Sequence, residues 1–461
     1  MTILGLIEYP TYMSKKKTNF LASKTTTLMK ELSKSRREFI KKSSSAILTS
    51  AMGFNILSAK PQSSKNLNID TLKVGLIGCG GRGTGAALQA SLADPNVMIT
   101  AMADIFPDKL VKSYENLKIE NPGKLIVDED HKFIGFDSYK KLLATDVDVV
   151  ILATPPNFRP GHLAAAVEAG KHIFCEKPVA VDAPGIRSVI ETAKKAKEKG
   201  LALMSGFCWR HDVPKIETYN KLKDGAIGDI HTVYNTYNTG ANWFRDIQPS
   251  WSDFEGQMRN WLYYNWISGD MIAEQAIHSI DLMSWAMGDV MPLKATGTGG
   301  RQSRTEDQFG NIYDHFAIVY DYPDGKKGFH FSRQQKDCYR SYHVDMMGTD
   351  GRCYIEVSKK HEITGKEQWK WKGEKTNMYQ NEHDTLFASI RNGKPFSDGV
   401  RMANSTLLAI WGRMAAYTGQ SLTLEEALNS NEVLGPKLDE YSWDLKWPSQ
   451  AVAKPGITKF T

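Results

Sequence analysis

Between Leu72 and about Val179 the chain alternates short apolar runs with amphipathic stretches. The apolar runs are Lys73 to Ile77, Val97 to Ala103, Val147 to Ala153 and His172 to Cys175, with segments such as Asp137 to Leu143 and Gly161 to Ala169 between them. Runs this short read as buried strands, and strands alternating with helical segments predict a doubly wound parallel sheet. Pro155-Pro156 ends the third run at the carboxyl edge of that sheet, where ligands bind in such folds. A further strand-like run covers Leu201 to Phe207. Ahead of all of these, Ser43 to Ala59 is only modestly apolar and is broken by serines and Gly53, too short and too polar for a membrane span.

Turn chemistry adds the first functional signal. The run Lys73 to Ile77 leads into Gly78-Cys79-Gly80-Gly81-Arg82-Gly83, a GxGxxG pattern on Gly78, Gly80 and Gly83. The first glycine permits a tight turn, the second lets backbone approach a pyrophosphate, and the third lets helix pack on strand. About twenty residues further on, the second apolar run ends in Asp104, placed to accept hydrogen bonds from both adenosine ribose hydroxyls and to repel a 2′-phosphate. This favours NAD over NADP; the competing reading is that Asp104 only caps a helix opening near Pro107.

Charge and cysteine usage narrow the class. The formal net charge is +6, but residues 1–59 hold ten Lys/Arg against three Asp/Glu, so the remainder lies near −1. A near-neutral body with interleaved charges gives no reason to expect nucleic acid as a partner. The five cysteines, Cys79, Cys175, Cys208, Cys338 and Cys353, are odd in number and lack CxxC spacing, so neither a disulfide framework nor a zinc site is expected. Ser35-Arg36-Arg37-Glu38-Phe39-Ile40-Lys41 and the stretch after it resemble a bacterial twin-arginine export signal. That reading implies a periplasmic protein, membrane contact only during export, a start nearer Met29, and cleavage near Ala59. The expected organisation is a leader over 1–59, a dinucleotide-binding domain over 60–195 and a substrate-binding α/β domain with a tail over 196–461.

A wider set of residues carries a family resemblance. Ala153-Thr154-Pro155-Pro156-Asn157, His162, and Gly170-Lys171-His172-Ile173-Phe174-Cys175-Glu176-Lys177-Pro178 join the glycine turn, Gly206-Phe207-Cys208-Trp209-Arg210, Gly269 to Asp281, Gly348-Thr349-Asp350-Gly351 and Ile390 to Pro395. Together they resemble the Gfo/Idh/MocA oxidoreductases. The resemblance implies a Rossmann domain, NAD as cofactor, and a second α/β domain on a large, mainly antiparallel open sheet that helps form the substrate cleft and a homo-oligomer interface. It further implies a cofactor set of Gly78, Gly80, Gly81, Arg82, Gly83, Asp104, Thr154, Pro155, Asn157, His162, Glu176, Lys177 and Arg210.

The chemistry expected of these residues can also be read directly. A lysine held at a strand end by Pro178 can hydrogen-bond a substrate hydroxyl and stabilise oxyanion charge, against the competing reading of a surface Lys-Pro turn. Glu274, His278 and Asp281 are spaced four and three apart, which on one helix places all three on a shared face. An imidazole beside carboxylates is a usual way to poise a general base near neutral pH. Many relatives carry Asp four residues before this histidine; Glu274 keeps the charge with a longer reach. Lys177, His278 and Glu274 are therefore the catalytic candidates, with no metal.

The segment from Asn235 to Trp266 is rich in aromatics, Tyr237, Trp243, Trp251, Trp261 and Trp266 among them, interspersed with amides and charges that suit sugar rings. Packing of a loop is the competing reading. Lys177, His211, Trp243 and Asp281 are the substrate-side candidates.

The combined expectation is an exported NAD(H)-dependent sugar or glycoside oxidoreductase with tightly held cofactor. The alternatives are an NAD-dependent glycosidase acting by transient oxidation and elimination, and a non-catalytic sugar-binding protein.

Overall fold

The computed structural model describes residues 70–461. The twin-arginine reading at Ser35 to Lys41, the start near Met29 and cleavage near Ala59 lie outside the described residues. Among the described residues there are two sheets, one of six strands and one of nine.

The first sheet is parallel and built from β1 (Leu72–Ile77), β2 (Val97–Asp104), β3 (Lys132–Ile134), β4 (Val149–Leu152), β5 (His172–Cys175) and β6 (Leu203–Ser205), in the order β3-β2-β1-β4-β5-β6. The reversal between β1 and β4 creates the crevice at the carboxyl ends of the strands where ligands bind in doubly wound folds. β4 is buried at every position, as the continuous apolar run requires of a strand covered by helices on both faces. β3 is the one strand of this sheet that periodicity did not announce, because its three residues are too few to show a period. A boundary at 195 leaves β6 outside the sheet it completes.

The second sheet is centred on β7 (Ile230–Thr239), which pairs parallel with Lys327–Gln334 and antiparallel with Ser341–Gly348. The remaining neighbours are antiparallel, which makes the sheet mixed but mainly antiparallel. Helix Gly399–Thr418, almost wholly buried, packs between this sheet and helix Ala183–Glu198 of the first domain. Helix Met378–Arg391 returns to pack on helix Gly81–Ala93, which follows the glycine turn. Chain from the far end therefore covers the Rossmann domain. No helix among the described residues is long and apolar enough to cross a membrane.

Candidate active site

The glycine turn adopts the geometry that a dinucleotide needs. Gly78 has φ +99°, and a Cβ there would meet the backbone of Ala153 and Thr154 at 2.6 Å. A Cβ on Gly83 would lie 1.9 Å from the Gly78 carbonyl oxygen, so helix Gly81–Ala93 can approach the strand only with glycine there. Gly80 and Gly81 instead face open space, leaving helix N-terminal backbone free for a phosphate.

Asp104 is the last residue of β2, and its carboxylate accepts from the Cys79 N–H at 2.6 Å and the Phe106 N–H at 2.8 Å. The first bond ties it to the glycine turn, and the second orders the turn into helix Pro107–Glu120. Burial raises its pKa to about 6 despite these bonds. Each oxygen keeps acceptor capacity for a ribose hydroxyl. These groups line a cleft of about 670 Å³. The residues present therefore fit NAD.

Lys177 and its neighbours form another part of the same cleft. Glu176 is packed against Gly206, where a Cβ would lie 2.5 Å from its carboxylate, and it accepts from Arg82 Nε and the Lys177 N–H. The Lys177 ammonium donates to the Glu274 carbonyl and stands 3.5 Å from the Glu274 carboxylate. Glu274 ends a one-turn helix, Met271–Glu274, which starts from Asp270 at φ +75°. Buried Asp270 accepts from the Tyr417 hydroxyl, the Tyr313 N–H and the Met271 N–H, and Arg413 donates to the Gly269 carbonyl. This surrounding network holds a backbone conformation unfavourable for a non-glycine residue.

His278 lies beyond a break at Gln275 and Ala276, in helix Ile277–Ala286. Trp209 stacks on its ring at 5.1 Å, and its buried Nδ1 has no hydrogen-bond partner. Burial, with the nearby Lys177 ammonium adding to it, holds the pKa of this imidazole well below the usual histidine range. The resting group is a neutral imidazole, not one poised near neutral pH. Burial is the physical reason for the difference: the helix break sends Glu274 to Lys177, and Asp281, on the same helix as His278 but bound by Arg210 and Arg401, raises the imidazole pKa too little to offset it.

Gly78, Gly80, Gly81, Arg82, Gly83, Asp104, Thr154, Pro155, His162, Glu176, Lys177, Trp243, Glu274 and His278 all line the cleft. His162 does so as a neutral ring, its pKa lowered to about 3 by burial, stacked 4.2 Å from Tyr139 and 3.3 Å from the Thr154 hydroxyl.

Four expected residues lie outside the cleft lining. Arg210 makes a two-pronged ion pair with Asp281 at 2.9 Å and reaches Asp289 at 2.8 Å. Asp281 also accepts from Ser405 at 2.7 Å and Arg401 at 3.2 Å, so it is a fully committed structural carboxylate. His211 follows Arg210 out of the site; its carbonyl accepts from Asn381 at 2.9 Å, and burial lowers its pKa to about 4. In the short helix Cys208–His211, only Cys208 is turned to the cleft. Asn157 donates to the Tyr441 hydroxyl, away from the cavity.

The aromatic segment divides in the same way. Tyr237, Trp243 and Trp261 line the cleft, whereas Phe254, Tyr263, Tyr264 and Trp266 join a buried cluster with Phe106, Phe158 and Tyr441. Trp243 carries the Arg245 guanidinium 4.6 Å above its ring, and Arg245 and Arg259 act electrostatically on Lys109 beside Asp104. Arg259 stacks over Phe106 at 4.1 Å and pairs with Asp108 at 3.2 Å. Through Arg245, Trp243 is linked to the Asp104 end of the cleft.

Sequence reasoning missed Tyr379, Gln275 and Lys109 in the lining. Tyr379 arrives on helix Met378–Arg391 and stacks on Arg82 at 4.8 Å. Its only sequence signal is a lone exposed-type aromatic at a helix start.

The comparisons with known proteins agree with this architecture. Residues 72–207 match the Gfo/Idh/MocA oxidoreductase family, NAD-binding Rossmann fold, and residues 218–354 match the Gfo/Idh/MocA C-terminal domain. A myo-inositol 2-dehydrogenase of Thermotoga maritima is 22% identical over 374 residues, 77% of this chain and 100% of that protein. The aldose-aldose oxidoreductase of Caulobacter crescentus, solved with glycerol, superposes with a TM-score of 0.62 at 19% identity, covering 77% of this chain and 100% of the other. A levoglucosan dehydrogenase solved with NADH and levoglucosan gives 0.62 at 18% identity with the same coverage. With both of its domains matched over more than half of its length, and with the glycine turn, Asp104 and Lys177 on one cleft, the chain belongs to the Gfo/Idh/MocA family of NAD-binding oxidoreductases.

Proposed function

We propose that this protein is an NAD(H)-dependent oxidoreductase acting on a CH–OH group of a sugar or related polyol, exported with its cofactor held in place. The observation that carries the reading is the convergence of Lys177, Glu274 and His278 on the cleft that also holds the glycine turn and Asp104. The relatives named for inositol and levoglucosan support the substrate class.

NAD, when bound, supplies the hydride acceptor. Gly80, Gly81 and the helix N-terminus bind phosphate through backbone N–H groups, and Asp104 accepts from ribose hydroxyls. Lys177, fixed by Glu274, donates to the reacting substrate oxygen and stabilises the negative charge that develops there. His278 exchanges the hydroxyl proton at Nε2, since Nδ1 is buried against protein. Trp209 holds that ring in orientation.

The pattern Ser35 to Lys41 supports export, and an exported enzyme without free NAD around it must retain the cofactor between turnovers. The test is to purify the protein without added nucleotide, record absorbance near 340 nm, and add sugars and glycosides one at a time. A ketosugar with enzyme-bound NADH supports the oxidoreductase; aglycone release without net NADH replaces it with a glycosidase that uses NAD transiently. Fractionation of cells producing the full chain tests export, and retention in the cytoplasm refutes that part.

A further inference from the structure

Both family matches end by residue 354, and the segment from Ser430 to Trp447, with little regular structure, lies beyond them. It nevertheless runs along the back of the cleft wall. The Leu434 N–H donates to Asp182 at 3.1 Å, and Leu438 fills the space over Gly161, where a Cβ would meet it at 2.5 Å.

Tyr441 then takes a hydrogen bond from Asn157 and lies 4.8 Å from Phe158 and 5.6 Å from Phe136, all in the first domain. The same ring lies 6.2 Å from Phe254 and 6.3 Å from Trp266 of the second domain. Trp443 lies 4.9 Å from Phe136 and 5.4 Å from Phe106. The Trp447 carbonyl accepts from Gln257 at 2.8 Å, again in the second domain.

Phe106, Phe136 and Phe158 line the cleft; Tyr441 and Trp443 do not. Phe106 and the Phe136 turn are both tied to Asp104, through the Phe106 N–H to its side chain and the Gly135 N–H to its carbonyl at 3.1 Å. Separating the second domain from the first at this end requires Tyr441 to leave one set of partners. A segment packed on both sides of a cleft resists its opening.

We propose that Tyr441 and Trp443 are positioning residues for the dinucleotide, a C-terminal clasp that braces the phenylalanine wall at the Asp104 end and slows cofactor exchange. This rests on the reading of the protein as an enzyme that holds NAD. It would add a structural reason for retention beyond the phosphate and ribose contacts of the motif residues.

The experiment loads full-length protein with NAD and chases it with excess labelled NAD. Wild-type protein is compared with Trp443→Ala, Tyr441→Ala and Tyr441→Phe, with folding checked by circular dichroism. The two alanine variants should exchange NAD at least tenfold faster and raise the KM for added NAD by a similar factor, with a much smaller change in kcat. Tyr441→Phe keeps the ring and should stay within about threefold of wild type.

Should Tyr441→Ala fail to fold, Trp443→Ala carries the test, because that ring is 39% exposed and its loss leaves the Tyr441 contacts in place. Folded alanine variants that exchange at the wild-type rate, or that lose kcat instead, overturn the clasp alone. A wild-type protein that takes up no NAD overturns the functional reading and the clasp with it.

Discussion

The two walls of the cleft are built by different means. The first-domain wall is mostly turn and strand end: Gly78 to Gly83, Asp104, Thr154, Pro155 and Glu176-Lys177 sit at the carboxyl edges of β1, β2, β4 and β5. Its geometry is set mainly by backbone: the glycines are fixed by clashes of 1.9 to 2.6 Å with the Gly78 carbonyl and with Ala153-Thr154 that any side chain at Gly83 or Gly78 would make. The opposite wall is assembled from side chains on β7, two broken helices and helix Met378–Arg391, each held by partners far away in sequence. Motif and strand-end rules therefore place the first wall, and packing across long sequence distances places the groups that face it.

The largest expected effect sits behind the second wall. Arg210 is the two-pronged structural partner of buried Asp281, so Arg210→Ala leaves that carboxylate balanced by Arg401 and Ser405 alone and should cost about 3 kcal/mol of stability, the low end for breaking a buried pair. Chemical denaturation measures this, and the KM for NAD in the surviving folded protein should change little. Loss of NAD affinity without loss of stability would instead return Arg210 to the cofactor site.

Lys177→Met should lower kcat by roughly 10²–10³-fold while bound NAD is retained, the usual cost of removing one donor to a developing oxyanion. Turnover after nucleotide loading and the nucleotide-to-protein ratio report the two quantities separately. Retained turnover would move the chemistry away from this wall.

On the cofactor wall, Asp104→Asn should weaken NAD by roughly tenfold or more, since hydrogen bonds to a charged acceptor contribute about 1.5–3 kcal/mol. The pH dependence has a definite sign. Burial raises the pKa of Asp104 to about 6, so NAD affinity should fall as pH drops through that value and the acceptor takes a proton. Titration calorimetry between pH 5 and pH 8 tests this, and the Asp104→Asn variant should lack that step.

The smallest effect separates two glycines of one motif. Gly80→Ala has no neighbour within 4 Å of the added methyl and should change stability by less than about 1 kcal/mol while weakening NAD; Gly83→Ala, pressed onto the Gly78 carbonyl, should destabilise the fold. Equal melting temperatures for the two variants would break the distinction.

The legibility of the site follows the same division. The glycine turn and Asp104 were readable from motif spacing, and the Glu176-Lys177-Pro178 strand end from its resemblance to the family signature. The Glu274, His278 and Asp281 spacing misled in part: Gln275 and Ala276 break the helix and send Glu274 to Lys177, while Asp281 stays on the His278 helix but is taken up by Arg210 and Arg401. The aromatic richness of 235–266 was visible, but its division into cleft rings and a buried cluster depends on which rings find Phe158 and Tyr441.

The sequence by itself determined a doubly wound dinucleotide-binding domain and its cofactor turn, because strand periodicity and a short glycine motif are local properties of the chain; Lys177 was picked out by its resemblance to a family signature. Only the tertiary structure decided that His278 rests neutral, that Arg210 is structural, and that Tyr379 and the Tyr441–Trp443 segment return to the cofactor domain. Those outcomes depend on burial and on contacts across 70 to about 300 positions, which composition and spacing do not encode.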